Sequence, residues 1–217
     1  MNYNIISSGS CGNCIILENE IALDMGVSFK DLTPYYKNLK MVFISHIHSD
    51  HLKKSTIKRL AFERPTLLYV VGSFLVDTLI KCGVKASNII VANCDSILSI
   101  KINDLNLKVK SYSLKHDVPN YGFEIDINNK KVAYCTDTKD LDGISIKNAD
   151  LYFIEGNYEE EEMRERIARK IEAGEFVNEY RTKETHQSKE KATEWLLANM
   201  SENSEFVFIH EHKEREA

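Results

Sequence analysis

The segment Ser45-His46-Ile47-His48-Ser49-Asp50-His51 places three imidazoles and one carboxylate within six residues. It directly follows an apolar run at 41–44, which predicts a buried strand. Neutral imidazole nitrogens and carboxylate oxygens are the ligands that zinc and similar divalent ions prefer. The alternative interpretation is a solvated polar turn, but three of the seven histidines of the chain lie in this one segment. The segment therefore predicts a metal site at the end of a strand.

The spacing of these residues divides them into two groups. His46 and His48 are two positions apart, so in extended backbone their side chains point to the same side and can bind one ion together. Asp50 and His51 follow at the point where the chain is expected to turn into a helix, which would aim them at a second position close by. Two ions about 3.5–4 Å apart can stabilise both the attacking and the leaving oxygen of a hydrolysis. We therefore expect this segment to supply half of the ligands of a two-metal site.

Three further candidate ligands lie next to strand-like runs later in the chain. They are His116, Asp137 and His210. A single His or Asp at a strand end is usually a surface polar group, so each candidate is weak when taken alone. His212 is an alternative to His210, which we favour because it directly follows a buried run.

Segment 45–51 resembles the HxHxDH signature of the metallo-β-lactamase superfamily, and the later candidates occur in the order found in its ribonuclease Z branch. The resemblance implies a mixed α/β (α+β) fold, the four-layer αββα sandwich, with helices outside two packed sheets. It also implies two divalent metal ions, with Zn²⁺ favoured and Mn²⁺ as the alternative. The implied ligands are His46, His48 and His116 on the first ion, Asp50, His51 and His210 on the second, and Asp137 bridging both.

The predicted catalytic residues are His186 and Asp50, of which Asp50 is also a ligand. His186 lies in Thr185-His186-Gln187-Ser188, before a helix-like run at 189–200 for which Ser188 is a plausible N-cap. In the nuclease-like branches a similar His-x-Ser/Thr element resembles a proton donor to the leaving oxygen. An imidazole, whose pKa is near neutrality, suits that task. The alternative is a polar cap residue that only positions the loop.

Three further elements resemble the YycJ-type subgroup of the superfamily. They are the opening at 7–13, the Leu23-Asp24-Met25-Gly26 element and the Glu155-Gly156-Asn157 element. The resemblance suggests that Asp24 orients a ligand histidine. The chain departs from the subgroup in four consecutive glutamates at 159–162 and in its Thr-His-Gln-Ser element.

Cys11 and Cys14 form a CxxC pattern, for which a zinc knuckle, a redox pair and small loop residues are the candidate interpretations. A structural zinc site needs four ligands, and the sequence has no second CxxC. The pair also precedes a strand, whereas a redox pair usually opens a helix. We therefore interpret both cysteines as small residues of a loop near the site.

Strand-like runs are predicted near 3–7, 14–18, 40–44, 67–71, 97–101, 105–112, 122–127, 131–135, 150–154 and 206–209. Helix-like runs are predicted near 28–38, 52–62, 73–82, 159–173 and 189–200. Hairpin-like strand pairs mixed with helices exclude a simple alternating doubly wound sheet. The helix at 159–173 is expected to end at Gly174 and to lie at the edge of the fold or at a homodimer contact.

Length and composition indicate an ordinary globular enzyme. The 217 residues are 43% hydrophobic, enough for one domain spanning 1–217. Five cysteines, with no signal peptide and no run of about 20 apolar residues, favour a reducing cytoplasm without membrane insertion. Residues 1–150 hold 18 Lys and Arg against 16 Asp and Glu, whereas residues 151–217 hold 10 against 17. This acidic C-terminal part argues against broad nucleic-acid coating.

Local basic residues remain compatible with a phosphate path. Lys53, Lys54, Lys58 and Arg59 follow the metal segment and either flank such a path or form a solvated helix face. Two ions would lower the pKa of a bound water and make hydroxide available near neutral pH. The sequence therefore predicts a phosphodiesterase or nuclease that acts on DNA or RNA. The alternatives are a phosphodiesterase for cyclic or small nucleotides and a non-catalytic metal-binding module.

Overall fold

The computed structural model describes residues 1–94 and 96–211, and within them twelve strands form two six-stranded sheets. In each sheet the strands are neighbours in chain order. The first sheet contains β1 (Tyr3–Ser7), β2 (Cys14–Leu17), β3 (Ile21–Leu23), β4 (Met41–Ile44), β5 (Leu68–Gly72) and β6 (Ile89–Ala92). The second contains β7 (Ile97–Ile102), β8 (Leu105–Leu114), β9 (Asn120–Ile127), β10 (Lys130–Cys135), β11 (Leu151–Glu155) and β12 (Glu205–Ile209).

In the described part of the chain, five α-helices accompany the sheets: α1 (Lys54–Glu63), α2 (Val76–Lys81), α3 (Glu160–Glu172), α4 (Glu179–Thr185) and α5 (Lys189–Asn199). Short 3₁₀ turns lie at Ser73–Leu75 and Ala86–Asn88. Among the described residues, no helix has both the length and the apolar composition of a membrane span.

Three apolar clusters show that the layers are stacked in the order helix, sheet, sheet, helix. Alternate residues of one strand belong to different clusters, because successive strand side chains point to opposite faces. In β2, Ile15 and Leu17 pack between the two sheets, whereas Cys14 and Ile16 pack towards α1 and α2. The third cluster joins the outer face of the second sheet to α5. The predicted αββα sandwich is therefore confirmed.

Parallel pairing explains why the candidate site residues meet. Strands β3 to β6 pair in parallel in the first sheet, and β10 to β12 do so in the second. The carboxyl ends of parallel strands lie at the same edge of a sheet. Five candidate elements follow or end these strands, namely Asp24, segment 45–51, Asp137, Glu155 and His210.

The predicted helix at 28–38 is wrong, because this segment forms consecutive turns. Its backbone bonds include Asp31 N–H to the Ser28 carbonyl and Thr33 N–H to the Lys30 carbonyl, both spanning three residues. Pro34 has no backbone N–H to continue such a series. The predicted helix near 73–82 is confirmed only in part, since its first turn is 3₁₀.

Three short elements escaped sequence prediction, namely β3, β6 and α4. The first has only three residues, too few to show a periodicity, and the other two have four and seven residues. The run at 189–200 also predicts Leu196 and Leu197 on one apolar side. This prediction is wrong for Leu197, which is 78% exposed, whereas Leu196 is buried. Ser188 does cap α5, because its hydroxyl accepts a hydrogen bond from the Lys191 N–H at 3.4 Å.

Helix α3 lies at the edge of the fold, as its thin apolar stripe predicts. Met163 is its one buried residue within the described chain, and Ile171 is 58% exposed. The backbone at Gly174 has a φ of +67°, which ends the helix as expected. Ion pairs join α3 to α4, with Lys170 to Glu179 at 2.7 Å and Lys183 to Glu160 at 3.2 Å. A homodimer contact at this helix stays a prediction.

Candidate metal centre

The first candidate ligand set is an inward-pointing group of three imidazoles, His46, His48 and His116. His46 Nε2 lies 3.1 Å from His48 Nδ1, which lies 3.3 Å from His116 Nε2. Two nitrogens bound at ordinary lengths to one tetrahedral zinc ion would be about 3.3 Å apart. These three side chains are therefore spaced to hold one ion without rearrangement.

The second candidate set combines Asp50, His51 and His210. Asp50 Oδ2 lies 3.6 Å from His51 Nε2 and 3.5 Å from His210 Nε2. His51 lies in the segment that follows a strand of the first sheet, and His210 follows a strand of the second sheet, 159 positions later in the chain. Their convergence on one carboxylate gives a second position with the spacing of metal ligands.

Asp137 lies between the two sets. Its Oδ2 is 3.0 Å from His51 Nε2, and its Oδ1 is 3.5 Å from His210 Nε2 and 4.0 Å from His116 Nε2. Its carboxylate thus faces imidazoles of both sets, as a bridging ligand would. The structure brings all seven predicted ligands together, while His212 lies outside the described residues.

The ring nitrogens that face away from the centre have their own partners, which fixes the orientation of the imidazoles. His51 Nδ1 lies 2.6 Å from Asp24 Oδ2. His116 Nδ1 lies 3.1 Å from the Thr185 carbonyl oxygen. Both acceptors require a proton on Nδ1, so in the neutral ring Nε2 keeps the lone pair that a metal ion needs.

Asp24 is a fully buried carboxylate that organises the centre from behind. Its Oδ1 accepts the Ser45 N–H at 2.7 Å, and its Oδ2 accepts the Ser45 and Tyr134 hydroxyls at 2.8 and 2.6 Å. The sequence-based expectation for Asp24 agrees with this position. Tyr134 was missed, because a tyrosine within an apolar strand shows no sign of a polar contact.

Three residues of the centre have a left-handed backbone, with φ of 56° at Asp24, 54° at Asp137 and 53° at His210. Each lies just beyond the end of a strand. Such a conformation is uncommon for residues other than glycine, and it tends to occur at functional sites. Here it occurs where the chain leaves the strand, and the side chains of Asp137 and His210 line the cavity while Asp24 contacts His51 from behind.

The electrostatics of the centre suit cations. Burial lowers the pKa of His46 and His116, so these imidazoles are neutral and able to bind metal near pH 7. Burial also opposes the charged form of His51, but Asp137 and Asp24 outweigh it and raise its pKa well above the usual value. The pKa of His210 is raised to about 10, because Asp137, Asp50 and Glu155 outweigh its burial. The carboxylates thus attract positive charge to the second position.

His186 lies beside the centre and is held by Glu155, which ends β11 and is fully buried. His186 Nδ1 is 2.6 Å from Glu155 Oε1, and its ring stacks on His210 with centroids 5.1 Å apart. Burial opposes the charged form of His186, but Glu155 and Asp137 raise its pKa above the usual value. An acidic residue at the end of the apolar run 151–154 was the signal that could have identified Glu155.

A cavity of about 300 Å³ opens beside these residues. The wall next to the metal centre is lined by Asp50, Asp137, His48, His116, His186 and His210. Helix α4 lines part of the remaining wall through Arg181, Thr182 and Thr185. A larger cavity of about 480 Å³ lies on β7 to β9 and contains none of the candidate ligands.

The CxxC cysteines are free thiols, with Cys11 exposed and Cys14 buried. Burial, together with the charge of Asp24, raises the pKa of Cys14, so its thiol is protonated and unsuited to bind metal. Nearby, the Asn13 amide donates to the carbonyl oxygens of Gly9 and Asp50 at 3.1 and 3.2 Å. This loop supports the metal segment from one side.

The basic residues that follow the metal segment do not line the cavity. Arg59 pairs with Glu63 at 2.5 Å and lies over the ring of Phe29. The interpretation of these residues as a solvated helix face is therefore the better one.

The fold and the centre together define a metal-binding protein of the αββα class with two adjoining sets of ligands. The sequence profile described as the beta-lactamase superfamily domain matches residues 24–210. The chain therefore belongs to the metallo-β-lactamase superfamily. The narrower resemblance to the YycJ-type subgroup stays a prediction.

Solved structures of three other proteins share this fold at low sequence identity. The metallo-β-lactamase fold protein YhfI from Bacillus subtilis has a TM-score of 0.71 and 17% identity, over 96% of this chain and 85% of YhfI. Human tRNase Z, short form, has a TM-score of 0.69 and 14% identity, over 97% and 93%. A diphosphatase from the PhnP family has a TM-score of 0.62 and 12% identity, over 96% and 86%. No protein of curated function matches the sequence significantly.

Proposed function

We propose that this chain is a metal-dependent phosphodiesterase that acts on DNA or RNA. The observation that carries the proposal is the position of Asp137 between two ligand sets, with His186 beside it in the same cavity. The fold alone would not support this choice of reaction, because one fold hosts many hydrolytic reactions.

The donor set fits two divalent ions. His46, His48 and His116 would hold the first ion, the three residues of the second set would hold the second, and Asp137 would bridge them. Imidazole and carboxylate donors favour Zn²⁺, with Mn²⁺ as the alternative. When bound, the ions would neutralise the phosphodiester oxygens and activate a water molecule near neutral pH.

The proton for the leaving oxygen would come from His186. The Glu155 carboxylate holds this imidazole at Nδ1, so Nε2 remains for the substrate. Glu155 also favours the protonated ring, which keeps a proton available near neutral pH. General acid catalysis of this kind contributes about 10²- to 10⁴-fold to the rate.

The similarity of fold to a tRNase and to a diphosphatase supports chemistry at a phosphate group. The similarity to the tRNase favours a nucleic acid as substrate. The cavity volume of about 300 Å³ supports the second candidate, a phosphodiesterase for cyclic or other small nucleotides.

Two substitutions test the proposal, with metal content and turnover as separate measurements. Asp137→Ala should lose both bound metal and activity, whereas His186→Ala should retain metal and lose about 10²-fold or more in turnover. Asp104→Ala, at an exposed residue remote from the centre, is the matched control and should change neither.

Turnover is measured with labelled single-stranded, double-stranded and cyclic substrates. An unchanged rate for His186→Ala would remove this residue from the mechanism. Two bound ions without cleavage of any of these substrates would favour the non-catalytic binding module and refute the proposal.

A further inference from the structure

Arg181 lies on α4 at the mouth of the cavity, with its side chain 79% exposed. Its Nη2 donates to Asp117 Oδ2 at 2.9 Å. The other oxygen of Asp117 lies 3.2 Å from His116 Nε2 and 3.4 Å from His48 Nε2. Asp117 therefore holds the guanidinium next to the first ligand set.

Among the described residues that line this cavity, Arg181 is the one Lys or Arg side chain. A guanidinium has five N–H donors, and the bond to Asp117 uses only one of its nitrogens. The planar group can donate two parallel N–H bonds to two phosphate oxygens, a fork geometry that a lysine ammonium does not have. The side chain is thus placed and equipped to bind an anion that enters with the substrate.

The position of Arg181 separates it from the reacting phosphodiester. Arg181 contacts one oxygen of Asp117, whereas the ligands His48 and His116 lie near the other oxygen, so an anion on the guanidinium would be a second group of the same substrate. In a nucleic acid, the neighbouring backbone phosphate supplies such a group. A cyclic mononucleotide has a single phosphate and lacks it.

We propose that Arg181 is a specificity-determining residue that binds a second phosphate, adjacent to the phosphodiester that is cleaved. This inference rests on the proposed function and narrows its substrate class. The preferred substrate is a strand or short oligonucleotide with at least two phosphates, and small cyclic nucleotides are disfavoured. Asp117 is the positioning residue that orients the guanidinium before substrate binds.

The test compares the affinity of dithymidine with that of dithymidine carrying a 5′ or a 3′ terminal phosphate. Calorimetry is performed on metal-loaded protein carrying His186→Ala, which lowers turnover during the titration by about 10²-fold or more. The added phosphate should strengthen binding about tenfold for one of the two isomers. Tenfold corresponds to about 1.4 kcal/mol, which is close to the lower end of the range for a hydrogen bond to a charged group. Arg181→Ala should reduce this ratio to about one, and Arg181→Lys should retain only part of it.

Arg164→Ala is the matched control, because Arg164 is similarly exposed but lies on α3 and pairs with Glu161. It should leave the tenfold ratio unchanged. In the protein with an intact His186, Arg181→Ala should raise KM for the phosphorylated dinucleotide by a larger factor than it changes kcat, whereas Arg164→Ala should leave the hydrolysis of bis(p-nitrophenyl) phosphate unaltered.

Two results would overturn the inference. One is a phosphate-dependent ratio that survives Arg181→Ala. Such a ratio survives when both dinucleotides lose affinity equally, which would mean that Arg181 only holds Asp117 in place. The other result is a ratio of about one for both isomers when Arg181 is intact. If no substrate is cleaved by the wild-type protein, the proposed function fails, and the binding ratio still decides the role of Arg181.

Discussion

Substituting Asp24 by asparagine tests whether this buried carboxylate controls the proton of a metal ligand. The replacement keeps the size of the side chain and exchanges one oxygen for an NH₂ group. In the wild-type protein, Asp24 Oδ2 faces His51 Nδ1 and the hydroxyls of Ser45 and Tyr134. The hydroxyls can rotate to accept from the new NH₂ group. The imidazole can accept only if its proton moves to Nε2, which is the nitrogen that faces Asp137.

The expected effect is a weaker metal site in a protein that still folds. Loss of a partner that orients a ligand typically lowers metal affinity by about 10- to 100-fold, or about 1.4–2.7 kcal/mol. Because the hydroxyls can be reoriented, we expect the metal-free protein to lose only about 1–3 kcal/mol of stability, the range for one poorly satisfied buried group.

Zinc affinity is measured by competition with a chromogenic chelator, and stability by denaturant unfolding of the chelated protein. Asp104→Asn is the control, because the Asp104 side chain is 85% exposed and pairs with Lys40 at 3.1 Å. It should change stability by less than about 1 kcal/mol and leave zinc affinity unaltered. A folded Asp24→Asn protein with the affinity of wild type would refute the orienting role of Asp24.

Two further predictions concern pH dependence and packing. Glu155→Gln removes the carboxylate that raises the pKa of His186. Because the imidazole must be protonated to act as the acid, the alkaline fall in kcat should move to lower pH when metal is saturating. A pH–rate profile that does not move would contradict this. Gly26→Ala should destabilise the protein by more than about 3 kcal/mol in denaturant unfolding, because the new Cβ would lie 1.6 Å from the Asp50 carbonyl oxygen. Gly143→Ala, where φ is +82° and the space is open, should lose only about 1 kcal/mol, and equal losses would contradict the packing argument.

The sandwich and the candidate ligands could be predicted because they depend on local patterns. Buried strands such as Met41–Ile44 are continuous apolar runs, and metal-binding side chains follow them directly. A polar residue just beyond such a run must lie at a sheet edge. The order of these residues in the chain then matched a known signature. Short or irregular elements had no such pattern, which explains the missed β3 and the incorrect helix at 28–38.

The groups that support the ligands could not be predicted in the same way, because their role depends on the folded arrangement. Two of the partners of the Glu155 carboxylate, His186 and His210, lie 31 and 55 positions away in the chain. Tyr134 reaches Asp24 across 110 positions, from one sheet to the other. No spacing rule connects such residues, since the contact exists only after both sheets have packed. The same holds for Arg181, whose position at the cavity depends on the ion pairs that join α4 to α3 and on its bond to Asp117. Ligand identity is thus encoded locally at strand ends, whereas ligand orientation and substrate selection arise from contacts between layers.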